Sequence, residues 1–305
     1  MLLGAIIGAT GVGKTSLAIR VAAELGAEII SVDSRQIYQG FRVGTAQPTA
    51  EERALVRHHL VDFCSPEEHY SAAQFVRDVH ALLAEHPEKD FLLVGGTGLY
   101  LNALTDGLSD LPASDPVLRL RLEHILERRG LPFLYRWLCA KDPAAREIMD
   151  GQNSHRIQRA LEISIQTKLP WSVALQRKSV EPMRFPILWV DRDREELYRR
   201  IDARVVQMFV DGWLQEIAAL CIQVSKDCPA MQGLGYQEIA SHLRGELSLA
   251  DCLTQIQQKT RNYAKRQLTW FRNKVTCDRY ICTESGKIDE ISALKNIFKK
   301  VAQKP

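Results

Sequence analysis

The sequence predicts an α/β fold, a parallel sheet core interrupted by an all-helical insertion. Four short apolar runs, at 2–7, 28–32, 91–94 and 187–190, each end at a glycine or a polar residue. Buried strands of a parallel sheet look like this, because ligands gather outside their carboxyl ends. The first run passes through a glycine loop into a helical spacing of Leu17, Val21 and Leu25, a strand–loop–helix unit. From 114 to 183, by contrast, the apolar positions keep a helical period with no convincing strand.

Taken in chain order, the second run (EIISV) ends at Asp33, the third (FLLV) at the turn Gly95-Gly96-Thr97-Gly98, and the fourth (ILWV) at Asp191. Ser114-Asp115-Pro116 marks a helix start, with proline in the first turn where its missing N–H costs nothing. The core is therefore expected to span 1–113 and 184–305, with the insertion at 114–183. Further helices follow Asp191, ending in a long one at 249–274, and a short amphipathic helix is expected beyond Glu284. Neither an internal repeat nor a low-complexity tract is present.

A chain of 305 residues, 46% hydrophobic and 25% charged, can bury a sizeable core. The seven cysteines (64, 139, 221, 228, 252, 277 and 282) are odd in number and lack zinc-ligand spacing, which fits reduced thiols in the cytoplasm. The opening MLLGAIIGATGVGKT runs straight into a glycine loop without a basic leader, so it reads as a strand and not as a signal peptide. No apolar run approaches the roughly 20 residues of a membrane helix, so no membrane partner is expected. The net charge of +3 hides an asymmetry: residues 259–305 hold twelve Lys/Arg against four acids, +8 locally and −5 elsewhere. That points to a polyanionic partner.

Gly8-Ala9-Thr10-Gly11-Val12-Gly13-Lys14-Thr15 is a complete phosphate-binding loop. Its glycines let backbone N–H groups face phosphate oxygens, the following helix adds its dipole, Lys14 a mobile charge, and the Thr15 hydroxyl a ligand for Mg²⁺. The core is thus of the P-loop NTPase-like kind. An ATP-using enzyme needs a second acid after a strand, and here that acid is Asp33, suited either to hold a metal through water or to act as a general base. His58-His59 with Asp62 is a poor metal site, since adjacent strand residues point to opposite faces; a core or hydrogen-bonding role is expected. Trp213, Leu214, Ile217 and Leu220, at helical spacing, are read as core.

Together these residues resemble the tRNA dimethylallyltransferase (tRNA isopentenyltransferase, IPP transferase) family. The similarity runs through the P-loop, 33–38 with Gly40 and Val43-Gly44-Thr45-Ala46, His58-His59-Leu60-Val61-Asp62, Tyr70-Ser71-Ala72 and Gly95-Gly96-Thr97-Gly98-Leu99-Tyr100. It continues in Arg156-Ile157, Arg159-Ala160-Leu161-Glu162, Arg204 before Met208-Phe209, Gly235-Tyr236-Gln237-Glu238, Tyr263-Ala264-Lys265-Arg266-Gln267 and Thr269-Trp270-Phe271-Arg272.

The resemblance implies that dimethylallyl diphosphate occupies residues 8–15 and that the N6 amine of the adenosine at position 37 of tRNA, 3′ to the anticodon, attacks the allylic carbon. Asp33 matches the family's general base, Thr97 a residue near the reacting centre, and Arg204, with Lys14 and Mg²⁺ on Thr15, stabilises the departing diphosphate. The target base must be flipped out of the anticodon loop. Asp33, Ser34, Arg35, Gln36 and Thr97 match the segments that contact it, and the Gln36 amide suits an adenine edge. Arg119 and Gln158, Arg159, Ala160, Leu161 and Glu162 match further tRNA contacts. Lys265, Thr269 and Arg272 share a helix face suited to phosphates.

The chain departs from the family's Gly-Pro-Thr-Ala-Ser-Gly-Lys-Thr loop at Ala9, Gly11 and Val12, losing a hydroxyl at Val12, and has Lys168 where glycine often follows Thr167. It lacks a terminal Cys/His zinc finger, as in bacterial-type or organellar members, and a cytoplasmic monomer is expected. The rivals are an enzyme that prenylates free adenine nucleotides (an adenylate isopentenyltransferase), a small-molecule P-loop kinase and a non-catalytic tRNA-binding module. The basic helices favour tRNA over a free nucleotide, and an intact Lys14, Thr15 and Asp33 favours catalysis.

Overall fold

The structure is a computed structural model that describes residues 1–275, 278–281 and 298. The expected helix beyond Glu284 lies outside the described residues, Phe298 apart. The described chain divides into two compact units, 1–103 with the segment from Arg184 onward, and Leu104–Met183.

The first unit is built on β1 (Leu2–Gly8), β2 (Glu28–Val32), β3 (His58–His59) and β4 (Phe91–Gly95). The second contributes the pair β5 (Leu108–Ser109) and β6 (Lys178–Val180), and the first unit is completed by β7 (Ile187–Asp191) and β8 (Asp278–Ile281). The main sheet has the order β3-β2-β4-β1-β7-β8, and every pairing in it is parallel. Parallel strands are covered on both faces, which is why β1, β2, β4 and β7 read as unbroken apolar runs. β3 is two residues long and carries histidines, so it leaves no apolar signal. His59 is buried, and its Nε2 meets Glu28 Oε2 at 2.5 Å while Lys89 donates to Glu28 Oε1 at 2.7 Å; His58 Nδ1 meets the Val56 carbonyl at 2.8 Å.

Beside the sheet, Trp213, Ile217 and Leu220 pack with Phe41, Tyr236, Ile239 and Ile256, and Leu214 lies against them. The Glu216 carboxylate accepts the N–H groups of Arg42, Val43 and Gly44 at 2.8, 2.6 and 3.1 Å, and the Tyr236 hydroxyl at 3.1 Å. One half-buried acid thereby shapes the loop that follows Gly40. The long helix Leu249–Lys274 starts at a Ser248 cap and turns Ile256, Ala264, Gln267, Leu268 and Phe271 inward. No single helix among the described residues is long and apolar enough to cross a membrane.

The second unit has its own core of Leu122, Leu134, Leu138, Ile157, Leu161 and Trp171. Asp115 caps the helix Pro116–Arg129 through the Val117 and Leu118 N–H groups. The unit starts at Leu104, ten residues before the Ser114 expected from sequence, because β5 pairs antiparallel with β6. This pair corrects the reading of 114–183 as free of strands: β6 spans three residues, too few for alternation to register.

Candidate functional site

Register brings four chain segments to one edge of the sheet. Ile7 lies beside Gly95, Gly8 beside Val190, and Val32 beside Gly95. The P-loop, Asp33, the glycine turn and Arg192 therefore leave the strands together, where parallel sheets bind ligands.

The loop enters the helix Lys14–Leu25 through Gly13, a left-handed N-cap without side-chain capping. Gly11 and Gly13 have φ of 81° and 100°, a region that costs a residue with a Cβ about 1–2 kcal/mol. Gly11 stands where the family's usual loop has alanine. The Val12 side chain is fully buried, so the lost hydroxyl becomes packing. Arg200 Nε donates to the Gly11 carbonyl at 3.0 Å and Arg192 Nε to that of Val12 at 3.2 Å. The Thr10 N–H donates to Gln267 Oε1 at 2.9 Å, and Arg204 donates to Thr10 Oγ1 at 3.4 Å. Among the described residues, the N–H groups of Gly11, Gly13, Lys14 and Thr15 meet no acceptor, which is what an anion site at a helix N-terminus requires.

The Lys14 ammonium reaches the Ala9 carbonyl at 3.4 Å. Burial drives its pKa down to about 8; Asp33 opposes this and Arg204 adds to it. Burial likewise lowers Arg204, again opposed by Asp33. Tyr263 is pushed up to about 12, chiefly by burial and then by Asp33. Tyr100 is raised by burial, then by Tyr38 and Asp33. Asp33 is thus the acidic residue that bears on two basic side chains and two phenols. Its Oδ1 accepts the Arg35 and Gln36 N–H groups at 2.8 and 3.4 Å, which fixes the carboxylate on its own turn. Thr97 Oγ1 accepts the Ser34 N–H at 3.0 Å and lies 3.5 Å from the Ser34 hydroxyl. The P-loop, Asp33, Ser34 and Thr97 leave the strands at the same end of the sheet, with Arg204 bonded to Thr10 and Thr97 to Ser34.

Other sequence-nominated residues sit differently. Gln36 accepts from Ser31 at 3.0 Å and donates to the Ala46 and Thr45 carbonyls at 2.7 and 3.4 Å. Its amide is thus bonded at both ends within the protein. Arg35 donates to the Pro229 carbonyl at 2.9 Å. In the second unit Gln158, Ala160, Leu161 and Glu162 are buried in the helix Ser154–Thr167. The Glu162 carboxylate accepts from Ser114, the Asp115 N–H and Arg159 at 2.7, 2.5 and 2.7 Å, and Arg159 also donates to the Pro112 carbonyl at 2.6 Å. Glu162 and Arg159 therefore brace the entry to the unit. Arg119 is exposed, with Glu123 at 3.7 Å, and Lys265 and Arg272 are exposed on the long helix.

Sequence reasoning missed Arg192, Arg200 and Gln267. Arg200 carries a signal, lying one helical turn before Arg204 and so on the same face; Gln267 stands in the quoted run from Tyr263, but nothing in that run names its partners. As for a metal, the half-buried Thr15 hydroxyl meets no partner among the described residues, and those residues hold no cluster of three His, Cys, Asp or Glu. That donor set fits Mg²⁺, which takes one or two protein ligands and completes its shell with phosphate oxygens and water.

The model of the IPP transferase family matches residues 36–274. A tRNA dimethylallyltransferase of Anaeromyxobacter dehalogenans is 42% identical over 278 residues, 90% of this chain and 93% of that protein. That of Bacillus subtilis is 38% identical over 303 residues, 98% and 96% of the two chains. The crystal structure of the Bacillus halodurans tRNA isopentenylpyrophosphate transferase matches with a TM-score of 0.71 at 34% identity, covering 98% of this chain and 97% of that one. A eukaryotic dimethylallyltransferase caught acting on tRNA matches with a TM-score of 0.83 at 26% identity, over all of this chain and 80% of the other. Joined by the family model and by relatives along nearly its whole length, the chain belongs to the IPP transferase family.

Proposed function

We propose that this chain transfers a dimethylallyl group from dimethylallyl diphosphate to N6 of adenosine 37 in tRNA, releasing diphosphate. The observation that carries the reading is that Asp33 leaves β2 at the same end of the sheet as the P-loop, which carries Lys14 and bonds Arg204: an acid near a phosphate cradle suits a reaction that takes a proton and sheds a diphosphate. The names of the relatives favour tRNA over a free nucleotide as acceptor.

In this reading the adenine N6 lone pair forms a bond to C1 of the dimethylallyl group while the C1–O bond breaks. The electron pair leaves with the diphosphate, and the N6 proton passes to the Asp33 carboxylate. Lys14, Arg204 and the free N–H groups of the loop receive the growing charge. Thr15 would hold Mg²⁺, which supplies further positive charge to the diphosphate when bound. Thr97 orients the turn beside Asp33, and Ser34 and Arg35 border the base. The exposed cations Arg119, Lys265 and Arg272 contact the tRNA backbone, with the unit Leu104–Met183 contributing to the RNA surface. The protein acts as a cytoplasmic monomer.

The test is to offer dimethylallyl diphosphate with unmodified tRNA and with AMP in turn. Prenylated adenosine in tRNA supports the reading. Turnover of AMP alone would make the protein a nucleotide prenyltransferase, and ATP consumption without a prenyl donor would make it a kinase.

A further inference from the structure

Gln267 is 7% exposed and lies on the inward face of the long helix, between the exposed Lys265 and Thr269. Its amide spends both ends on backbone. Oε1 accepts the Thr10 N–H at 2.9 Å and Nε2 donates to the Gly96 carbonyl at 2.9 Å. These partners belong to two different loops, the phosphate loop after β1 and the glycine turn after β4. The fit leaves no slack. A Cβ on Gly96 would lie 2.5 Å from Gln267 Nε2 and 3.0 Å from the Gly8 carbonyl, and one on Gly98 would lie 2.5 Å from the Trp270 ring. The helix thus presses on the turn at two points one helical turn apart.

Each loop continues to a reacting group. Thr10 accepts from Arg204, and the turn runs from Gly96 into Thr97, which holds the Ser34 N–H beside Asp33. We infer that Gln267 is a positioning residue that sets the spacing between the diphosphate loop and the Thr97–Asp33 side of the site. This rests on the prenyl-transfer reading above. The Thr10 N–H is already used by Gln267, so losing that amide removes no phosphate ligand. The four free N–H groups, Lys14 and Thr15 remain. What changes is the distance between the leaving group and the base, to which the transition state is far more sensitive than ground-state binding. Gln267 therefore acts on kcat and leaves the donor's KM alone.

The experiment measures kcat and KM for dimethylallyl diphosphate, on unmodified tRNA, for the wild-type chain, Gln267→Met and Gln267→Glu, with melting curves for each. If the wild-type chain transfers no prenyl group to tRNA, the functional reading fails, and the role of Gln267 falls with it. With an active wild type, Gln267→Met is expected to lose at least tenfold in kcat with KM for the donor within threefold. Gln267→Glu separates positioning from folding. Protonated, its carboxyl accepts from Thr10 and donates to Gly96; ionised, it repels the Gly96 carbonyl. Burial raises such a carboxyl above the usual glutamate range, so its activity relative to wild type should fall at least tenfold as pH rises from 6 to 8.5. A kcat within twofold of wild type in a folded Gln267→Met chain would overturn the inference, and so would a loss confined to the donor's KM.

Discussion

Thr97 Oγ1 accepts the backbone N–H of Ser34 at 3.0 Å, fastening the glycine turn after one strand to the residue that follows Asp33 after its neighbour. The bond explains why a hydroxyl belongs at position 97. Thr97→Val keeps the shape and strands the part-buried Ser34 N–H, at about 1 kcal/mol for the lost hydrogen bond. Transfer should drop by roughly tenfold in kcat/KM for Thr97→Val and stay near wild type for Thr97→Ser, as steady-state assays on tRNA would register.

Asp33→Ala should abolish transfer, with a loss on the order of 10²–10⁴ for a missing general base. Affinity for tRNA should stay within a few-fold, because the carboxylate acts mainly in the transition state. Single-turnover transfer and filter binding on the same preparation separate the two. Weak tRNA binding with normal single-turnover transfer would refute the role.

Lys14 sets a pH dependence. Its pKa in the free protein is lowered to about 8, and a bound diphosphate raises it by favouring the ammonium form. Binding near that pH therefore takes up a proton. Affinity for inorganic diphosphate should hold below pH 8 and weaken above it, approaching tenfold per pH unit. Calorimetry in buffers of different ionisation enthalpy reads the proton uptake directly, and Lys14→Met should abolish it.

Glu162 is a stability determinant of the helical unit. Burial pushes its carboxyl up, but the bonds from Arg159, Ser114 and the Asp115 N–H outweigh this and hold it below the usual glutamate range. The unfolded chain then binds more protons, so the stability it contributes is present above the ordinary glutamate pKa and is lost as pH falls through the lowered one. Glu162→Ala leaves Arg159 and two donors without their acceptor and should cost about 3 kcal/mol, visible as a lower melting temperature at neutral pH. At pH 3 the difference from wild type should shrink.

Lys265 and Arg272 are exposed cations, and on the proposed reading they meet phosphates. Replacing either by Ala should weaken tRNA binding and reduce the slope of log affinity against log salt by roughly 0.7–0.9, leaving the donor's KM unchanged. Titrations from 50 to 200 mM salt would show it. An unaltered slope would remove both from the interface.

The sequence by itself determined the parallel core, the long helix 249–274 and the phosphate loop, because their signals are local: unbroken apolar runs, a 3.6-residue period, and glycines at fixed offsets. It was silent on β3, β5 and β6, which are two or three residues long and too short for any period to register. Only the tertiary structure decided what the polar side chains do. Gln36 bonds Ser31 and the Thr45 and Ala46 carbonyls, and Glu162 bonds Ser114, the Asp115 N–H and Arg159, since an amide or carboxylate taken out of water must find partners wherever packing places it. Gln267 lies 257 residues from Thr10 and 171 from Gly96 in the chain. No local pattern can announce a bond closed by parallel strand register and by a helix laid across the loops that leave those strands.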